Sequence, residues 1–352
     1  MKNIRLITVI AVLAMLAASA CRAGEALNLD PFIEQVPGWV QQFRAGDGPG
    51  EYSYLPGQKR PDVYGATDMF YLLYTLDMLD LGEADRKAWI RAIGKFQNKN
   101  TGWFGGNMTM HSREHATAYA VGAMKLLGSK PRYPLAFKKF YDTREKIFKM
   151  LEDTPWDAVW SGSHIPSGIA SALINTGEAG PDWTDAYFEW LDREADPGSG
   201  YWLRKNDGAQ KDSAGTNELG GAFHFYYIYT YLGHPLPFPE RIIDATINVQ
   251  HDNCLYDAEV PYCIDLDGVF SIIEAYKQTG GYRTGDVRDS LECTLDAIVT
   301  RLNDPDFLWN NYRDSHKLVG AVVALAELQA FMPEKLVTPK PLKRILALSP
   351  FI

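Results

Sequence analysis

No cluster of lysine and arginine occurs in this sequence, and its 35 basic residues are outnumbered by 44 acidic ones for a net charge of −9. Binding to a phosphate backbone displaces counterions with clustered basic side chains, so no nucleic-acid partner is expected. Strand-like alternation between hairpin turns is also missing, which leaves no basis for a sheet. The polar bias of a disordered chain is absent as well. With 46% hydrophobic, 12% aromatic and 22% charged residues, there is ample apolar material for a core. A length of 352 residues suits one large domain or two average ones.

The first residues read as an export signal. Lys2 and Arg5 precede an apolar stretch from Leu6 to Ala18, too short to span a bilayer, and the small residues Ala18-Ser19-Ala20 precede Cys21. Small residues before a cysteine resemble a bacterial lipobox, although Ala18 stands where leucine is usual. Ordinary cleavage near Ala20 or Ala23 is the alternative. Residues 1–21 are therefore expected to be a signal peptide and 22–30 a short linker. The mature protein is expected in the periplasm or at the cell surface, touching the membrane only through a lipid on Cys21. Cys254 and Cys263 flank a short segment and either staple it or stay unpaired. Cys293 sits in an apolar helical pattern and reads as core packing.

A cadence recurs about six times: an amphipathic helix, a turn rich in glycine and aromatics, then a more apolar helix with a polar opening. The expected outer helices are Phe32–Phe43, Asp85–Phe96, Leu135–Leu151, Trp183–Ala195, Pro239–Gln250 and Asp286–Leu302. Their inner partners are Val63–Leu79, His115–Leu127, His164–Ile174, Glu218–Leu232, Asp267–Thr279 and His316–Phe331. Apolar spacing such as Leu72, Leu73, Leu76 and Leu79 marks the helices, and Gly128, Gly233 and Gly280 close them. The expected fold is all-α, an (α/α)6 toroid of six helical hairpins over residues 31–335, with 336–352 as a C-terminal extension. Inner helices of a closed ring all run in one direction, so their polar openings converge at one mouth.

The turn Gln97-Asn98-Lys99-Asn100-Thr101-Gly102-Trp103-Phe104, followed by His115-Ala116-Thr117-Ala118-Tyr119-Ala120, and its weaker echoes resemble the α/α-toroid superfamily. Members include prenyltransferase β-subunits and terpene cyclases, with closely similar barrels among glycoside hydrolases and polysaccharide lyases. The resemblance covers nearly the whole mature chain and implies architecture rather than activity. The chain is also similar to a group of uncharacterised bacterial proteins that share the cadence and an ending like Arg344 to Ile352. Asp265-Leu266-Asp267-Gly268 lacks the third aspartate of the cyclase Asp-X-Asp-Asp acid, and no cysteine falls at an expected inner-helix start, as prenyltransferase zinc binding requires.

The expected mouth gathers Tyr64, Asp68, His111, His115, His164, Glu218, Asp265, Asp267, Asp314 and His316. Carboxylates and imidazoles at helix N-termini can divide acid and base roles, whereas Asp68, Asp265 and Asp314 serve equally well as helix caps. Glu218 follows Thr216 and Asn217, either of which can cap instead. His224 lies two turns inside its helix and reads as core. His111-Ser112-Arg113-Glu114-His115 matches the inverted zinc-protease spacing, but that family's α/β architecture is absent. A metal there would need an Asp or His from another repeat, and neither a metal nor another cofactor is expected.

Trp103, Trp160, Trp202 and Trp309 stand in the same turns, where rings either stack on sugar faces or pack between hairpins. The function expected is cleavage of glycosidic bonds in a carbohydrate substrate. Hydrolysis would pair two of Glu218, Asp267 and Asp314 as acid and base or nucleophile. Lyase chemistry would use His115 or His164 as base and Tyr64 as acid, with Arg113 neutralising a uronate and His316 adding to substrate binding. Hydrolysis is the slightly favoured alternative; a glycan-binding scaffold and a terpenoid- or lipid-modifying enzyme are the others.

Overall fold

The computed structural model describes residues 26–105, 111–257 and 259–351, so the expected signal peptide, residues 1–21 with Cys21, lies outside the described residues. Among the described residues the architecture is all-α. Six helices form an outer set: α1 (Asp30–Gln41), α3 (Glu83–Gly94), α5 (Arg144–Glu152), α8 (Pro181–Glu194), α10 (Pro239–Val249) and α12 (Thr284–Asn303). Six alternate with them as an inner set: α2 (Val63–Thr75), α4 (Arg113–Leu126), α7 (His164–Thr176), α9 (Thr216–Leu232), α11 (Cys263–Tyr276) and α14 (His316–Phe331). Short helices α6 (Val159–Gly162) and α13 (Pro305–Asn311) precede α7 and α14.

Burial separates the two sets as the sequence pattern demands. Every residue of α4 from Glu114 to Met124 and of α14 from Leu318 to Leu328 is buried, so both helices are enclosed on all faces. Outer α3 buries only Trp89, Ala92 and Ile93 and keeps a charged face. Among the inner helices α2 packs on α4, α4 on α7, α7 on α9, α9 on α11, α11 on α14, and α14 on α2. Gly320 permits one of these approaches: a Cβ there would lie 2.4 Å from the backbone nitrogen of Cys263.

Local chemistry starts the inner helices where the site needs them. The Asp62 carboxylate accepts from the Gly65 amide at the start of α2, and the Ser112 hydroxyl accepts from the His115 amide at the start of α4. Two boundaries differ from expectation. The expected outer helix 135–151 is a 3₁₀ turn, Ala136–Phe140, followed by α5 with Thr143 as its cap. Helix α11 starts at Cys263, four residues before the expected start at Asp267, because Asp265 accepts from the Tyr262 amide and completes the cap. A cysteine therefore does open an inner helix.

The disulfide also differs. Cys254 pairs with Cys293, and Cys263 is free. Cys254 stands in a left-handed turn beside α12, with a Cα–Cα distance of 5.3 Å to Cys293, inside the range a disulfide spans.

The expected C-terminal extension, residues 336–352, packs against the helices where it is described. Leu336 and Val337 pair in parallel with Leu27 and Asn28, and Leu342, Ile345, Leu346 and Phe351 are buried. The tail crosses beneath the C-terminal ends of the inner helices. Asn175 donates to the Pro350 carbonyl, Phe351 stacks on Tyr71 at 4.7 Å, and Arg344 reaches the buried Glu327.

Candidate functional site

A cavity of about 410 Å³ lies at the N-terminal ends of the inner helices, with Phe351 of the tail in its floor. Five of the seven histidines line it: His111, His115, His164, His224 and His316. Their rings are in mutual contact. His111 and His115 are parallel at a centroid distance of 4.4 Å, His115 meets His164 at 4.6 Å, and His164 meets His224 at 4.9 Å. The i, i+4 spacing of His115 and Tyr119 on α4 puts both rings on one face, stacked at 5.0 Å.

Helix α2 anchors two of these rings from behind. Tyr64 and Asp68, one turn apart, point the same way. The Tyr64 hydroxyl is hydrogen-bonded to Nδ1 of His115. Nδ1 of His316 donates to Asp68 Oδ1 at 2.9 Å, and the Ser315 hydroxyl donates to Asp68 Oδ2 at 2.6 Å. Nδ1 being engaged in each ring, Nε2 is the nitrogen left for other work. Ligand nitrogens of His111, His115 and His316 lie within 4.8 Å of one another.

Burial sets the charge state of the cavity. Desolvation, reinforced by the neighbouring imidazoles, drives His115 and His164 well below the ordinary histidine value, and it brings His111 and His224 to about 3. His316 is opposed by the same burial, but the charge and hydrogen bond of Asp68 outweigh it and raise the imidazole. Asp267 is 1% exposed, and neither of its carboxyl oxygens has a hydrogen-bond partner. Desolvation, with the Asp265 charge adding to it, pushes this carboxyl well above the usual range. Four imidazoles whose protonation burial opposes, His316 with its Asp68 partner, and a carboxyl whose ionisation burial opposes thus face one space.

Of the residues expected at the mouth or in the turns, His111, His115, His164, His316, Asp267, Asp314 and Trp160 line the cavity. Asp314 also accepts from the backbone amides of His316 and Lys317, a capping arrangement. Tyr64 and Asp68 sit behind the wall, holding histidines. Glu218 is elsewhere: its carboxylate is taken up by Lys211, Asn217 and the Gly215 amide. Asp265 accepts from Tyr256 and Tyr262 and serves structure. Arg113 leans over Trp103 and bonds Glu114, lining a second cavity of about 280 Å³ that shares only His111 with the first.

Of the four turn tryptophans only Trp160 lines the larger cavity. Trp103 stacks on Phe137 at 3.5 Å. Trp202 is buried with its indole N–H on the Leu191 carbonyl, and Trp309 is exposed on α13 near Gly38. His224, read as core, instead lines the cavity with Nδ1 on the Ser163 hydroxyl at 2.7 Å. Cys263, Tyr119 and Tyr262 complete the wall and were not singled out. The helical spacing from His115 was the available signal for Tyr119; for Tyr262 and Cys263 the signal was Asp265, whose local cap on the Tyr262 amide starts α11 there and not at Asp267. Comparison with protein-family models, with curated proteins and with solved structures finds no match for this chain.

Proposed function

We propose that this protein is an exported carbohydrate-active enzyme, an (α/α)6 toroid that cleaves a glycosidic bond beside a uronate by β-elimination in its histidine-lined cavity. The cyclic succession of inner-helix contacts supports the toroid. The Cys254–Cys293 bond suits an oxidising compartment and so supports export.

The observation that carries the reading is Asp267, a buried carboxyl with no partner, facing a cavity walled by imidazoles held neutral. A carboxyl that holds its proton can donate it, and an uncharged imidazole has a ring nitrogen free to accept one. Elimination uses both. His164 takes the proton from the carbon next to the uronate carboxylate, the electron pair forms the new C=C bond, the C–O bond of the linkage breaks, and Asp267 protonates the leaving oxygen. The faces of Trp160 and Tyr262, 6.1 Å apart between ring centroids, give a sugar apolar surface to lie against.

Hydrolysis has less support. It needs two carboxyl groups flanking the linkage. Glu218 is engaged outside the cavity, Asp68 is engaged by His316 and Ser315, and Asp314 caps α14, leaving Asp267 without a second. The test is a panel of uronate and neutral oligosaccharides, read both by absorbance of unsaturated uronate and by reducing ends. Unsaturated product from a uronate substrate is the expected result. Reducing ends with no unsaturation would return the chemistry to hydrolysis, and silence on the whole panel would favour a glycan-binding scaffold.

A further inference from the structure

Three imidazoles whose ligand nitrogens gather within 4.8 Å of one another, two of them hydrogen-bonded from behind to an oxygen atom, make the donor set of a transition-metal centre. We infer that His111, His115 and His316 bind a divalent ion of the zinc class at the wall of the cavity. The ligand nitrogens, within 4.8 Å of one another, need to close to about 3.3 Å for tetrahedral coordination at ordinary Zn–N lengths. Ring rotation supplies that order of movement.

The orienting groups are the second ground. Metal-bound histidines pass their other ring N–H to a carboxylate, a carbonyl or a hydroxyl, which fixes the ring and selects the ligating nitrogen. Asp68 accepts from Nδ1 of His316 and so presents its Nε2 to the ion, and the Tyr64 hydroxyl, bonded to Nδ1 of His115, does the same for the tautomer in which that nitrogen donates. Both orienting residues belong to α2, the helix that packs between α4 and α14, which carry those two ligands. The Tyr64 ring lies 5.3 Å from His111, 5.4 Å from His115 and 5.4 Å from His316, centroid to centroid, so one residue underlies all three.

Three protein ligands leave a fourth position open, the pattern of a catalytic rather than a structural zinc site. That position faces the cavity, where the unpartnered Asp267 stands. All-imidazole ligation suits zinc, copper, nickel or iron better than calcium or magnesium, which take oxygen donors. The site goes beyond the elimination reading and does not rest on it. Where that reading holds, the ion supplies the positive charge a bound uronate carboxylate needs.

The test uses the purified protein, stripped with a chelator and titrated with zinc chloride by calorimetry, with metal counted by elemental analysis and cobalt(II) substitution read in the visible spectrum. One ion per chain and a tetrahedral cobalt spectrum are expected. His316→Ala is expected to lose stoichiometric binding, Asp68→Asn to weaken it by about 10- to 100-fold with the ligands intact, and Asp267→Asn to leave it unchanged. Circular dichroism confirms that each variant is folded; Asp68→Asn carries the test if His316→Ala is not. No saturable binding to the wild type, or equal binding by a folded His316→Ala, overturns the proposal. Metal binding without elimination on any uronate substrate leaves the site standing and removes the reaction. Elimination by protein that neither holds nor takes up metal does the reverse.

Discussion

Replacing Asp267 with leucine should make the protein more stable while abolishing the proposed elimination. Asp267 is fully enclosed, and neither carboxyl oxygen is hydrogen-bonded. An unsatisfied buried polar group costs about 1–3 kcal/mol, and a leucine of similar size removes that cost. The pH dependence fixes the cause. The folded-state pKa of Asp267 is raised above its unfolded value, so the folded protein binds this proton more tightly. Its contribution is therefore fully present below the unfolded pKa and is lost as pH rises through the folded value. The leucine variant has no such loss, so its advantage should be small in acid and grow toward neutral and alkaline pH. Urea unfolding at a series of pH values measures this directly, with the midpoint moving to higher denaturant. A variant that is less stable than wild type at neutral pH, or whose advantage shrinks as pH rises, would refute the assignment of Asp267 as an unpartnered, proton-holding group.

Three further outcomes are expected. Cys254→Ser with Cys293→Ser opens a cross-link of sequence separation 39, and loop entropy puts the loss at about 3–4 kcal/mol, measurable by denaturant unfolding under non-reducing conditions. Arg344→Ala leaves the buried Glu327 carboxylate without its guanidinium and should cost roughly 3 kcal/mol, visible as a lowered melting temperature and faster proteolysis of the tail. Glu218→Gln should cost about 1–2 kcal/mol through its bonds to Lys211 and the Gly215 amide, as a melting-temperature decrease in calorimetry.

The helical class was legible because apolar spacing and capping are local. The floor of the cavity was not, since nothing local in Arg344-Ile345-Leu346 says that it crosses beneath the inner helices. The site divided along the same line. His115, His164 and His316 open their helices or nearly so, and that position brought them together. Glu218 occupies an equivalent position, yet a lysine seven residues earlier, Lys211, folds back and engages it. Asp68 and Tyr64 share a face of α2, but their partners come from α4 and α14, a juxtaposition fixed only by packing among the inner helices. His224 lies two turns inside its helix like a core residue, and its place in the cavity wall beside His164, 4.9 Å away, is set by packing between helices.

The most direct test of the central claim compares Asp267→Asn and Glu218→Gln on a uronate oligosaccharide that the wild-type protein cleaves, following unsaturated product. The account predicts that Asp267→Asn loses the reaction while Glu218→Gln keeps it at a wild-type rate. Cleavage that survives in Asp267→Asn and disappears in a folded Glu218→Gln would contradict it.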